Sequence, residues 1–186
     1  KILSDRILIK DIKNREIILI CGNGMEILWL QIWLIISLVC KNNNYKIYGI
    51  TSKKRFIQNL YLKLVRAKLK FIEEIDFIDL REETRLRQKI NRLKDFESIK
   101  NFSFEEIPLG KMAISTYCRQ KTTGILSLDN KKQFKEINSL IIYLMKAKIW
   151  MDKIIKELKE PVALFTEVFM EEYGGIYYSS LKNKIS

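Results

Sequence analysis

A chain of 186 residues with 47% hydrophobic and 30% charged residues is too apolar to be disordered and long enough for one folded domain with its own core. Only 7 Gly and 2 Pro exclude a turn-rich all-β fold, which would need many more turn formers. The 34 Lys+Arg outnumber the 22 Asp+Glu to give +12, and the absence of histidine excludes Ser-His-Asp and Cys-His catalysis within the chain.

In chain order, REIILICGNG is a short apolar strand that ends in Gly22-Asn23-Gly24. The run Ile27–Cys40 follows and includes Gln31; it is too short for a membrane span, which needs roughly 20 apolar residues. A helix buried between a sheet and its neighbours is expected there. After the polar turn KNNN, YKIYGI reads as a second strand and completes a β-α-β unit. Residues 53–70 then repeat apolar positions at Phe56/Ile57, Leu60, Leu64/Val65 and Leu69, which predicts one amphipathic helix with a basic outer face.

Residues 71–100 read as helical, with mixed charges at three- and four-residue spacings that suit a solvated face. The segment from Phe102 is expected to start as a strand, to turn at Pro108-Leu109-Gly110, and to continue as a short helix. A long helix is predicted over 131–158, with its stripe on Ile137, Ile141, Leu144, Met151 and Ile155. Pro161 opens a further strand, VALFTE, and a carboxylate-rich turn with Gly174-Gly175 leads into a last helix. The alternation predicts a single α/β domain over 1–186, a Rossmann-like parallel sheet with helices on both faces.

Ligands of open α/β sheets sit beyond the carboxyl ends of the strands, where loops enter helices. Two junctions qualify. In CGNGME, Gly22 and Gly24 let a backbone approach a ligand, Asn23 can bond sugar hydroxyls, and Glu26 can act in acid–base chemistry. The plain roles of Asn23 and Glu26 are a turn residue and a helix-dipole partner. In TEVFMEEYGG, Glu167 at the strand end can deprotonate a hydroxyl or only complement a helix dipole, as can Glu171 and Glu172. Tyr173, Tyr177 and Tyr178 can stack on a sugar ring or pack in the core. Lys111 and Arg119 suit phosphate recognition or structural ion pairs. Cys21, Cys40 and Cys118 fit no zinc or disulfide pattern and read as reduced thiols of a cytoplasmic protein.

The segment EEIPLGKMAISTYCR resembles one in glycosyltransferase-like proteins of bacterial surface-polysaccharide and capsule clusters. There a strand leads to an Ile-x-x-Gly turn and to a helix ending in an aromatic, one more residue and Arg; here these are Ile107, Gly110, Tyr117 and Arg119. TEVFMEEYGGIYYSSLKNKI is similar to the strand, Tyr-Gly, helix passage that follows in such proteins, with Tyr173 and Gly174 in the Tyr-Gly place. The resemblance covers roughly 105–183.

It implies the N-terminal, acceptor-side half of a GT-B enzyme, whose nucleotide-sugar binds mainly in a second domain absent from this chain. It also implies a transferase with no metal and no bound cofactor, inactive as this piece alone. The expected base is a carboxylate, Glu167 ahead of Glu26, and the expected partner is a glycan or lipid-linked acceptor. Such a protein is expected in the cytoplasm, peripheral to the anionic inner face of the membrane. The alternative is a basic α/β module that binds nucleic acid or another polyanion without catalysis; the wide spread of charge and the lack of an RNA-binding motif weigh against it.

Overall fold

The computed structural model describes residues 16–20, 35–39, 45–77, 79–93, 95–121, 131–159, 161–165 and 171–185. Four strands form one all-parallel sheet: β1 (Glu16–Ile20), β2 (Lys46–Thr51), β3 (Lys68–Phe71) and β4 (Val162–Phe165). Their order is β3-β2-β1-β4, so the chain steps outward from β1 to β3 and then returns to pair on the other side of β1. Register partners include Ile20 with Ile50 and Ile20 with Phe165.

The helices are α1 (35–39), α2 (Phe56–Leu64), α3 (Leu80–Ile90), α4 (Phe96–Lys100), α5 (Leu109–Gln120), α6 (Lys131–Lys156) and α7 (Glu171–Lys182), with a 3₁₀ turn over Ile72–Phe77. Alternation along β1 divides the coverage. Ile18 and Ile20 join Ile50 in a core with Ala147, Met151 and Ile154 of α6 and Ile176 of α7. Ile17 and Leu19 face the other way, with Ile47, Leu62 and Val65, and Ile36 packs against that group. The fold is thus a Rossmann-like α/β layer arrangement with helices on both faces of the sheet, as the alternation of elements predicts. A further core, drawn from α3, α4, α5, the first half of α6 and the 104–107 turn, contains no strand residue.

Four expectations need correction. Residues 53–70 are not one helix: α2 stops at Leu64, and Lys68–Phe71 is the edge strand β3. The break is a Schellman-type end, in which Arg66 N–H donates to the Lys63 carbonyl and Ala67 N–H to the Leu62 carbonyl, with Arg66 at φ 59°. The segment from Phe102 is no strand. Phe104 and Ile107 exchange two backbone hydrogen bonds of 3.0 Å across Glu105 and Glu106, both at positive φ (49° and 71°), which makes an isolated two-residue turn. Gly174 and Gly175 lie inside α7 rather than in a turn before it. A Cβ at Gly175 would stand 2.5 Å from the Leu144 carbonyl oxygen, so this glycine is where α7 closes on α6.

The fourth correction concerns α2, whose apolar stripe points outward. Phe56 is 77% exposed and Leu64 is 64% exposed, and Ile57 and Leu60 are exposed beside them. The side turned to the sheet instead carries Gln58, Leu62 and Val65. The run Ile27–Cys40 lies outside the described residues except for α1. There Ser37 is buried while Ile35, Leu38 and Val39 are exposed, which is not the burial expected of it. Among the described residues no helix is long and apolar enough to cross a membrane.

Arg66 holds a left-handed conformation that costs an L-residue on the order of 1 kcal/mol. Arg66→Gly is therefore expected to raise the chemical-denaturation midpoint, by about 0.5–1 kcal/mol in unfolding free energy with an unchanged slope.

Candidate functional site

The reversal of strand order lies between β1 and β4, and this switch point is where open α/β sheets bind ligands. The two junctions singled out from the sequence leave the sheet here. Their last described residues, Ile20 and Phe165, are register partners on neighbouring strands. Gly22, Asn23, Gly24, Glu26 and Glu167 themselves lie outside the described residues. Beside Phe165 stands Tyr177 of α7, ring edge to ring face at 5.4 Å, with Tyr178 5.5 Å from Tyr177 in turn.

One strand over, the carboxyl end of β2 gathers buried polar groups. Thr51 and Ser52 are buried at the strand end, and Gln58 comes up beneath them from α2. Thr51 Oγ1 and Arg55 Nη1 both donate to Gln58 Oε1, at 3.5 and 3.4 Å. Glu73, from the 3₁₀ turn after β3, reaches across to the start of α2. Its carboxylate accepts from Ser52 Oγ at 2.5 Å, and each carboxylate oxygen accepts from the Lys53 backbone N–H at 3.1 Å. Asn59 Nδ2 donates to the Ser52 carbonyl at 3.0 Å and braces the loop. Burial alone would raise the Glu73 pKa, but the Ser52 hydroxyl and the Lys53 N–H hydrogen bonds, with the Lys53 charge, hold it below its ordinary 4.5.

This corner of the sheet edge is a seat for an anion, made of a hydroxyl, a backbone N–H and neighbouring cations, and the chain's own Glu73 carboxylate sits in it. Sequence reading misses it because β3 is merged into a helix, which hides the return of Glu73 to the end of β2. The signal that could have found it is TSKKR placed directly after the strand YKIYGI.

The remaining predicted residues lie elsewhere. Lys111 and Arg119 are exposed on α5, eight residues and so about 12 Å apart along its axis. That helix packs on α4, α6 and α7, in the core that holds no strand residue. Tyr173 is fully buried in the sheet-facing core, so its ring packs there and offers no face to a sugar; Gly174 beside it is buried too. The structure therefore pairs Ile20 and Phe165, the strand ends that precede the two junctions, and places Lys111 and Arg119 on a helix of the strand-free core.

A second polar cluster joins α6, α7 and the 104–107 turn. Lys148, only 3% exposed, ion-pairs with Glu105 and, at 2.6 Å, with Asp152. Glu105 also takes Lys182 Nζ at 2.7 Å, while Asp152 accepts from Ser179 Oγ at 2.5 Å and Asn183 Nδ2 at 3.1 Å. Two cations thus balance two carboxylates around buried backbone. Burial would lower the Lys148 pKa, yet its hydrogen bonds to Asp152 and Glu105 raise it, so the amine stays charged. The arrangement is an ionic clamp on α6 and α7, with every charge satisfied.

Among the described residues no group of three or more cysteines and carboxylates is placed to hold a metal ion. No protein-family model matches the chain, and neither a curated protein nor a solved structure does.

Because the Glu73 pKa is lower folded than unfolded, its stabilisation is present above the unfolded value near 4.5 and lost as pH falls through the folded one. Glu73→Gln is expected to cost about 1 kcal/mol at neutral pH and to flatten the acid limb of the stability profile, read by urea titration between neutral and acid pH.

Proposed function

We propose that the chain is the acceptor-side domain of a glycosyltransferase. It would help move a sugar from a nucleotide-sugar donor to a surface-polysaccharide or lipid-linked acceptor. The observation that carries this reading is the parallel sheet reversing at β1/β4, with Ile20 and Phe165 paired so that the CGNGME and TEVFMEEYGG junctions start side by side. A crevice of that kind takes a small polar ligand.

In this reading Asn23 and the glycines at 22 and 24 hold acceptor hydroxyls. A carboxylate, Glu167 ahead of Glu26, removes the proton from the hydroxyl that attacks the anomeric carbon, while the nucleotide departs with the electrons of the broken bond. With no histidine in the chain, a carboxylate is the base that suits the task at this edge. In such enzymes the nucleotide-sugar is held mainly by a second domain, and the part assigned to these residues is to hold the acceptor. Its place is the cytoplasmic side of the membrane, at the inner leaflet, where lipid-linked acceptors are available.

The net charge of +12 favours a second reading, a polyanion-binding module without catalysis. Ligand-observed NMR on the full chain separates the two, with nucleotide-sugars, oligosaccharides and a short RNA as probes. Saccharide signals that respond, and weaken at least about tenfold in affinity in Glu167→Gln or Asn23→Ala, support acceptor binding. A response from RNA alone that added salt abolishes overturns it in favour of the polyanion module.

A further inference from the structure

The outward apolar stripe of α2 is at odds with how surface helices behave, since a helix that is apolar on both sides is normally covered on both. Nine large hydrophobic side chains are exposed among the described residues, and seven belong to α1 and α2. Both helices lie on the same face of the sheet, anchored through Ile36, Leu62 and Val65. In that layer Ile35, Leu38 and Val39 are exposed on α1, and Phe56, Ile57, Leu60 and Leu64 on α2. The opposite face of the sheet, under α6 and α7, shows two exposed large hydrophobics among the described residues, Phe77 of the 3₁₀ turn and Leu181 of α7.

Charge identifies what covers this layer. From Ile27 to Ile72 the sequence contains nine Lys or Arg and no Asp or Glu, so this quarter of the chain supplies most of the +12. Two of the nine, Lys46 and Lys70, are ion-paired to Glu16 and Glu157. Lys53 and Lys54 stand at one end of α2, Lys63 on its exposed side and Arg66 and Lys68 at the other end. A second copy laid on this face would oppose like charges with like. Nucleic acid needs successive stacking surfaces, and Phe56 is the one aromatic ring among these seven side chains. An anionic bilayer surface satisfies both properties, because acyl chains take the aliphatic stripe and headgroups take the cations.

We infer that the outer side of α1 and α2 is a docking surface for an anionic lipid bilayer, with Phe56, Leu60 and Leu64 as the inserted side chains. The inference deepens the membrane placement proposed above. It does not depend on glycosyl transfer, because none of these residues belongs to the sheet-edge site.

The test is co-sedimentation of the full chain with vesicles of phosphatidylcholine alone, and with about a third phosphatidylglycerol to supply a negative surface. Binding to the anionic vesicles is expected, weakened by salt, with little to the neutral ones. Phe56→Glu with Leu60→Glu is expected to lower partitioning by about a hundredfold and Leu64→Glu alone by about tenfold, through lost apolar burial and added negative charge. All three sites are exposed, so the substitutions leave the core intact. Leu181→Glu, on the helix across the sheet, is expected to change nothing.

Failure to bind anionic vesicles, or binding that both α2 variants retain, overturns the inference. So does a lipid-free dimer, seen by sedimentation velocity, that Phe56→Glu with Leu60→Glu converts to monomer, since the face would then be a self-interface. The saccharide response measured by NMR is expected to be the same in these variants, which keeps the two readings separately testable.

Discussion

Strand β1 is hydrogen-bonded in parallel to β2 on one side and to β4 on the other, and Ile18, Leu19 and Ile20 have no exposed surface at all. A parallel strand of this kind cannot leave one face wet, because its neighbours are reached only through crossovers that lay helices over the sheet. From that requirement follow the two helical layers, the sheet order and the position of the strand-order reversal. The reversal is in turn what makes the carboxyl ends of β1 and β4 the place for a ligand.

The layer formed by α6 and α7 meets the requirement at a cost. With 26 residues, α6 is about 39 Å long, and its two halves serve different cores, the strand-free one first and the sheet-facing one second. Where the two cores meet, residues 144–148 are buried without a break, so Lys146 and Lys148 go down with the helix. Glu83 of α3 answers Lys146 at 2.7 Å, and Glu105 and Asp152 answer Lys148. Removing Glu83 would leave the Lys146 charge buried without that partner, which is far more destabilising than the pair is stabilising, whereas Lys148 keeps one carboxylate if either Glu105 or Asp152 is removed. The left-handed turn at Glu105 and Glu106 fits this picture: it aims a carboxylate at two lysines on two helices. The other layer, α1 and α2, covers the sheet with fewer side chains and keeps aliphatic surface on its far side.

The strands β1, β2 and β4 and the long α6 were legible in the sequence because each is bounded by polar or turn residues and carries an unbroken apolar pattern. The edge strand β3 was not. KLKF alternates lysine with apolar residues and follows a helical pattern directly, and the intervening Arg66 is not a residue whose type announces a left-handed chain reversal. Gly110 and Gly175 looked like turn formers, yet both are inside helices where another backbone comes close. A Cβ at Gly110 would fall 1.7 Å from the Ile99 carbonyl oxygen. Periodicity grouped Val65 with Phe56, Ile57, Leu60 and Leu64 in one inward stripe, but of these only Val65 is buried, and it joins Gln58 and Leu62 on the inner side. For the site, spacing singled out two junctions whose preceding strand ends, Ile20 and Phe165, are register partners, while the junction residues themselves lie outside the described residues. It missed the Ser52–Glu73 seat, which is assembled from elements that only the folded sheet brings together, and it placed Lys111 and Arg119 near chemistry when α5 packs away from the strands.

The claim that function resides at the carboxyl edge of the sheet is tested most directly by mapping backbone amide shifts of the full chain on titration with a nucleotide-sugar and with an oligosaccharide acceptor. Saturable shifts are expected at Ile20, Thr51, Ser52 and Phe165, at the strand ends around the β1/β4 reversal. Shifts confined to the outer sides of α2, α5 or α6, with those strand ends unmoved at saturation, would contradict it.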